Sequence, residues 1–427
     1  MDSSVVSVMG APAQRIRTYP TLRVPTLVRW ITGVYLFSIV LDAPIRYGLS
    51  LVNMFPLIYI PKALLLLMVP VLLILTRRAS KALFGGALIL SFYIAWGMVN
   101  LRSVWQPLFG LWVFTPLVYA LLIGKYFISE LARYRRLFLW LFAITALGVL
   151  MSPLIHFPWV GQNIHLGGHS LEVSRQWGTF GFERYAGFSR ASYSAATQLL
   201  IFAILIVTTQ RNHFYAIPIW IVAGLAIFLT TTKGIFGAYF MITIFFLSGL
   251  AFHQNKPWRY MWALLLWLSA ILMVTIPISS IFIEYDPSFH SFASKVLFAS
   301  FGDRLNWMWP DSLRMLNDWP SWMFGLGLGG IGAPQQFFYP TAFLPADNLF
   351  VYLCVDFGLL ISITLIVAIV SGTTLRFIRG GSPIVIFPLT LVLVSYGVVD
   401  NIIEESLLGF MLGLVVMMTS SQLHWEV

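Results

Sequence analysis

Four short segments place charged side chains beside hydroxyls, aromatic rings or glycines, each next to a long apolar run. In the first, Glu183-Arg184-Tyr185-Ala186-Gly187-Phe188-Ser189-Arg190, two guanidiniums and a carboxylate sit at the mouth of such a run. Arginine's planar fork matches phosphate oxygens two at a time and keeps its charge at any relevant pH. In the second, Leu229-Thr230-Thr231-Thr232-Lys233-Gly234, one ammonium lies among three hydroxyls, a candidate anion cradle. The third runs Asp303-Arg304-Leu305-Asn306-Trp307-Met308-Trp309, then Trp319-Pro320 and the glycine stretch 324–332. Aromatic rings, carboxylates and a mobile glycine stretch together suit a sugar, with Trp307 and Asp303 as contacts. The fourth is Asp347-Asn348, where a carboxylate at a membrane edge, its pKa raised by partial burial, can serve as a general base and Asn348 can meet a sugar hydroxyl.

Each segment also has an ordinary reading. Arginines at a span mouth snorkel to lipid headgroups or pair with a neighbour such as Glu183. Threonines cap helices, and tryptophans anchor at the interface. The run Gly327-Leu328-Gly329-Gly330-Ile331-Gly332 formally fits a dinucleotide fingerprint, but no strand–turn–helix unit precedes it. His156, His165 and His169 share one stretch without metal-ligand spacing, so no metal or other cofactor is expected.

The elements that must position these residues are membrane helices. Of the 427 residues 59% are hydrophobic and 10% charged, and the mean hydropathy is +0.84, which excludes a soluble globular domain. Runs such as Leu64–Leu75 are apolar on every face, which excludes an alternating membrane barrel and predicts an all-α polytopic protein. Apolar spans are expected near 28–42, 57–76, 82–100, 105–124, 137–155, 191–209, 214–230, 235–252, 260–282, 346–371, 382–399 and 405–420. That is twelve. They organise the chain as a tail (1–27), spans one to five (28–155), a loop (156–190), spans six to nine (191–282), a long loop (283–345) between spans nine and ten, and spans ten to twelve with the C-terminus (346–427). Cys354, the single cysteine, has no partner in the chain, no internal repeat is visible, and no cleaved leader is expected.

Cations set the orientation, because Lys and Arg near span ends stay in the cytoplasm. Sixteen of 26 are then inside (Arg15, Arg17, Arg23, Arg29, Arg77, Arg78, Lys81, Lys125, Arg133, Arg135, Arg136, Arg211, Lys256, Arg259, Arg376 and Arg379), against three of 16 acids, Asp2, Glu130 and Glu426. Both termini are cytoplasmic on this count, and both long loops are outside. The net charge of +10 is mainly this bias together with attraction to anionic lipid, and nucleic acid is not an expected partner. Arg184, Arg190, Lys233 and Arg304 fall on the side that the rule disfavours, so each calls for a reason.

The ordered set Arg184-x-x-Gly187, Leu-Thr-x-x-Lys233-Gly234, Asp303-Arg304-Leu305, Phe324-Gly325-x-Gly327-x-Gly329, Asp347-Asn348 and Asp356-Phe357-Gly358-Leu359 resembles the O-antigen ligase and Wzy-type polymerase superfamily over about residues 180–400. The resemblance implies a GT-C-like membrane body of about twelve spans in the bacterial inner membrane, with its site on the periplasmic side. It implies a metal-independent glycosyltransferase that uses an undecaprenyl-pyrophosphate-linked oligosaccharide as donor and another glycan as acceptor, with a chain-length regulator protein as a partner. Arg184, Arg190, Lys233 and Arg304 would hold the pyrophosphate. Asp347 would be the base, with Glu183 second, and a single attack would invert the anomeric carbon. Two positions depart from the pattern: Asp347 stands where the ligases have histidine, and Thr232-Lys233-Gly234 stands for Ser-Arg-Gly. The missing histidine favours polymerase over ligase. A flippase or transporter would need ionisable residues at mid-membrane, where Asp356 is the candidate, and matching broken halves. A scaffold protein would tolerate loss of these charges.

Overall fold

The computed structural model describes residues 24–75, 81–166, 169–175, 178–179, 182–210, 213–283, 300–380 and 385–420. Arg15, Arg17, Arg23, Arg77, Arg78, Arg211 and residues 284–299 of the long expected loop lie outside the described residues, as do the side chains of Lys81, His165 and His169. Seven described helical stretches are long and apolar enough to cross a membrane: Phe55–Ile74, Trp105–Ser129, Leu131–Met151, Ser192–Thr209, Lys233–Phe252, Lys256–Ser279 and Leu359–Arg379. An eighth arises if a bent pair counts as one span. Four further expected spans are apolar helices of 10–17 residues, Gly85–Asn100, Phe214–Leu229, Ile386–Tyr396 and Ser406–Thr419. The chain is therefore an all-α multi-pass membrane protein.

In chain order the helices are α1 (Val24–Val40), α2 (Asp42–Leu51), α3 (Ile60–Leu75), α4 (Lys81–Asn100), α5 (Trp105–Ser129), α6 (Leu131–Met151), α7 (Ser192–Thr209), α8 (His213–Leu229), α9 (Lys233–Phe252) and α10 (Lys256–Ser279). After a π-helical turn at Arg304–Met308 come α11 (Trp309–Arg314), α12 (Trp319–Phe324), α13 (Ala333–Phe338), α14 (Leu349–Phe357), α15 (Leu359–Arg379), α16 (Ile386–Tyr396) and α17 (Ser406–Ser420). The first expected span ends at a bend of 81° between α1 and α2, and one expected span breaks. The tenth stops at Gly358, whose φ of +82° costs a side chain strain that glycine avoids. A Cβ there would also strike the Met323 carbonyl.

The segment expected as a plain first loop contains two hairpins, β1 (Asn163–Leu166) with β2 (His169–Glu172) and β3 (Gly178–Thr179) with β4 (Phe182–Glu183), both antiparallel. Strands let this polar stretch pair its own backbone groups beside the helix ends. The glycine stretch is not mobile either. Leu326 N–H bonds Val355 O at 2.7 Å, Gly327 N–H bonds Asp356 O at 3.1 Å and Leu328 N–H bonds Tyr93 O at 3.0 Å. Glycine is required because backbone meets backbone: a Cβ on Gly329 would lie 2.6 Å from the Gln106 carbonyl oxygen, and one on Gly325 would lie 2.6 Å from the Asp356 backbone. The Asp356 carboxylate, fully buried, accepts from Gly330 N–H at 2.9 Å and Gly329 N–H at 3.3 Å. It pins this stretch rather than lining a permeation path.

Candidate functional site

The site residues gather where α6, α10 and α16 end and α7, α9, α14 and α17 begin. Arg304 opens the π-helical turn, and its Nη2 donates to Asp347 Oδ2 at 2.9 Å, with the two side chains 18% and 31% exposed. Nη1 reaches back to Ser300 O at 3.0 Å, while the enclosed Nε has no partner among the described residues. Asp347 has φ +37°, a left-handed conformation that aspartate tolerates at a cost. Its neighbours hold it there. Trp309 Nε1–H donates to Asp347 O at 3.2 Å. Asn348, fully buried, caps α14 by accepting from Val351 N–H at 2.9 Å and donates to Met273 O at 3.1 Å and Val398 O at 2.9 Å. Asn348 therefore ties α10, α14 and the turn after α16 together instead of offering its amide to a sugar. Trp309 is likewise fully buried, so it is neither an interface anchor nor a sugar platform.

Two more cations face this pair. Arg184 follows β4, and burial first and the Arg304 charge second push its pKa down. Lys233, the first residue of α9, lies within electrostatic reach of both Arg184 and Arg304. A Cβ on Gly234 would sit 2.9 Å from the Tyr396 ring, so glycine is what lets α9 start this close to α16. Beside Lys233, Thr231 adopts φ +53° with an enclosed hydroxyl that has no partner among the described residues. Three cations in mutual reach and partly desolvated repel one another, and an anion among them would relieve that repulsion.

The structure adds residues that sequence reasoning missed. The turn between α16 and α17 carries Asp400, Glu404 and Glu405, and burial is the first cause that raises each of them to about 7. Asp400, only partly buried, receives a hydrogen bond from Tyr396 and feels the charges of Asp347 and Arg304. Glu404 accepts from Ala333 N–H at 2.6 Å, and Glu405 accepts from Ser194 Oγ at 2.8 Å. Sequence pattern gave little signal here, because the turn is short and lies between two apolar runs. Three acids between such runs are the one cue that it held.

The other expected site residues disperse. Arg190 is not in the Arg184 group; it lies with Arg46 and Arg175. Glu183 is exposed on β4 and lines a small cleft with His156, Arg175 and Arg184. Asp303, just before the π-helical turn, and Trp307, within it, are exposed, Trp307 at 40%. Four residues apart, they stand near one face of that turn, open to the outside of the fold.

No family model matches this chain, and no curated protein matches it. The functional reading therefore rests on the geometry.

Proposed function

We propose that this chain is an inverting membrane glycosyltransferase that joins lipid-pyrophosphate-linked oligosaccharides, a polymerase of the Wzy type. In this reading it has twelve spans, both termini lie in the cytoplasm and the site faces the periplasm of a bacterial inner membrane. The observation that carries it is the triad Arg184, Lys233 and Arg304 set against the Arg304–Asp347 pair. When a glycan leaves a lipid pyrophosphate, negative charge builds on the departing phosphate oxygen, and cations already fixed in place and partly desolvated stabilise it as it grows. The attacking sugar hydroxyl loses its proton to Asp347. Arg304 links both halves: it orients Asp347 in the resting site and can turn its fork to an arriving phosphate.

A second arrangement has Asp400 as the base, favoured by its position beside Asp347 with its pKa raised to about 7, near the pH at which a general base works well. On the acceptor side, transfer to a lipid A core, as a ligase would do, remains the alternative product. The carboxylate in place of histidine at 347 favours polymerisation. A flippase is the more remote alternative, and it loses its mid-membrane residue now that Asp356 serves the glycine stretch.

Purified protein in liposomes, given a lipid-linked oligosaccharide alone, tests the reading. A ladder of lengthened lipid-linked glycans is expected. Movement of intact donor across the bilayer with no new glycosidic bond would refute it.

A further inference from the structure

Helix α2 leaves α1 at 81°, so it runs nearly across the direction of the spans. The 17 residues of α1 rise about 25 Å before that bend, most of a bilayer's hydrocarbon thickness of about 30 Å. The inner side of α2 carries its charges: Arg46, 8% exposed, bonds Asp42 at 2.9 Å and stands 5.6 Å from the centre of the Phe55 ring. The end of the helix and the turn after it are apolar and open, with Leu51 66% and Val52 61% exposed and Met54 exposed beside them. A helix surface in water turns its charges outward instead.

The level of this turn follows from its neighbours. Tyr59 and Lys62, where the next span starts, both meet Trp112 of α5, at 6.1 Å between ring centres and 5.4 Å from ammonium to ring. Trp112 lies seven residues, about 10 Å along the axis, beyond Trp105. Trp105 is 71% exposed at the mouth of α5, where tryptophans anchor to the membrane surface. Phe55 lies four residues before Tyr59 in a 3-10 turn, about 8 Å back in the same direction. Phe55 and the turn 51–54 that joins it are therefore close to the level of Trp105. From there exposed apolar side chains continue down the span on one face, as Leu57, Ile60, Leu64, Leu67, Val71 and Ile74, three or four residues apart. Leu51, Val52 and Met54 are the upper end of that lipid-facing flank. The turn also satisfies its own backbone, with Asn53 N–H on Ser50 O at 3.1 Å and Met54 N–H on Leu49 O at 2.8 Å, so it can leave water.

We infer that α2 and the turn 51–54 form a membrane-interface seat: Leu51, Val52 and Met54 sit among the upper acyl chains of phospholipid on the side of the site, and α2 lies along the headgroups. What rests on the seat is the loop that carries Arg184. Ala43 N–H bonds Phe188 O at 3.1 Å, the Tyr47 and Trp159 rings stand 6.4 Å apart, and Ala43 packs with Phe157, Trp159 and Val173. Trp159 Nε1–H donates to Gly187 O at 3.1 Å and so carries the support on toward Arg184. The loop is thereby held at the membrane surface. The inference goes beyond the transferase reading, and its tests use no transfer assay.

Fluorescent labels on single cysteines, in a Cys354→Ser background in phosphatidylcholine nanodiscs, test the seat. Val52→Cys reports on the turn, Leu67→Cys on the lipid-facing flank and Gln162→Cys, an exposed position, on the loop. The label at 52 is expected to lose most of its emission to a lipid spin label near the carbonyls, and little to one in mid-chain or to iodide. The label at 67 should answer to the mid-chain spin label and the label at 162 to iodide. Iodide quenching at 52 as strong as at 162 would put the turn in water, and quenching strongest from mid-chain would put it in the core. Shielding from lipid and iodide alike would put a second copy or another protein over it. Each of these overturns the seat. Leu51→Asp combined with Val52→Asp tests the support: amide exchange should quicken about tenfold at Ala43 and across 159–164 and stay unchanged in α7. Should that pair unfold the chain, Leu51→Ser with Val52→Ser gives the same pattern at smaller amplitude. Unchanged exchange across 159–164 in both would mean that nothing rests on α2, and it would overturn the inference.

Discussion

Replacing Asp347 by asparagine separates chemistry from structure. Asparagine keeps the side chain's size and tolerates the φ of +37° about as well as aspartate does, so the backbone gains no new strain. Its amide oxygen can still accept from Arg304 at the 2.9 Å now seen. What is lost in stability is the charge of a partly buried ion pair, with the hydrogen bond kept, on the order of 1 kcal/mol. What is lost in catalysis is the proton acceptor, about 10²- to 10⁴-fold in turnover, which corresponds to about 2.7–5.4 kcal/mol of barrier. The two magnitudes differ enough to be read apart. Transfer rate in proteoliposomes, beside the thermal midpoint and donor affinity of the same preparation, is the assay. Turnover should collapse while midpoint and affinity stay near wild type, and Asp347→His should restore part of the rate near neutral pH, since a neutral imidazole also takes a proton. Wild-type turnover in Asp347→Asn would refute the assignment, and the same result together with loss in Asp400→Asn would move the base to Asp400.

Arg184→Ala and Lys233→Ala should each cut transfer about ten- to a few hundredfold without altering membrane insertion, since each removes one charge-assisted phosphate contact; unchanged rates in both would make them headgroup anchors. Asn348→Ala should lower the thermal midpoint sharply, because two carbonyls and one N–H lose their partner in the interior at about 1–3 kcal/mol each; a midpoint near wild type would mean that the tie is dispensable. Asp400, Glu404 and Glu405 bind protons more tightly in the folded chain than at their ordinary values of 3.8 and 4.5. Folding is then favoured at low pH and loses that support as pH rises from about 4 through about 7, so the thermal midpoint should fall across that window and fall less in Asp400→Asn. In a Cys354→Ser background, an impermeant maleimide added from outside should label Asp318→Cys and spare Arg136→Cys; the reverse pattern would invert the topology.

The positions of the helices were legible because apolar runs announce themselves one residue at a time. What stayed hidden were the breaks, since the bend after Val40 and the stop at Gly358 depend on what packs against them. The cations Arg184, Lys233 and Arg304 and the carboxylate Asp347 were legible as charges out of place at span mouths. That Arg190 belongs with Arg46 and Arg175 was not, because its backbone partner is Arg175, 15 residues earlier across the β3–β4 hairpin. Asn348 and Trp309 were misread for a common reason: polar and aromatic types predict a contact, and only packing tells whether a ligand or a backbone carbonyl supplies it.

The acidic turn also bears on how the protein is built. Residues 400–405, between α16 and α17, follow every other site residue in the chain, yet they supply the acceptor for Ala333 N–H and Ser194 Oγ and the counter-charge to Arg304 and Arg190. Tyr35 of the first helix also waits for this hairpin, donating to Ser406 O at 3.2 Å. Before this hairpin packs, Arg304 has Asp347 as its partner but lacks Asp400, and Arg190 lacks Glu405. Closure of the site therefore depends on the α16–α17 hairpin, which reaches elements as far away in sequence as α1.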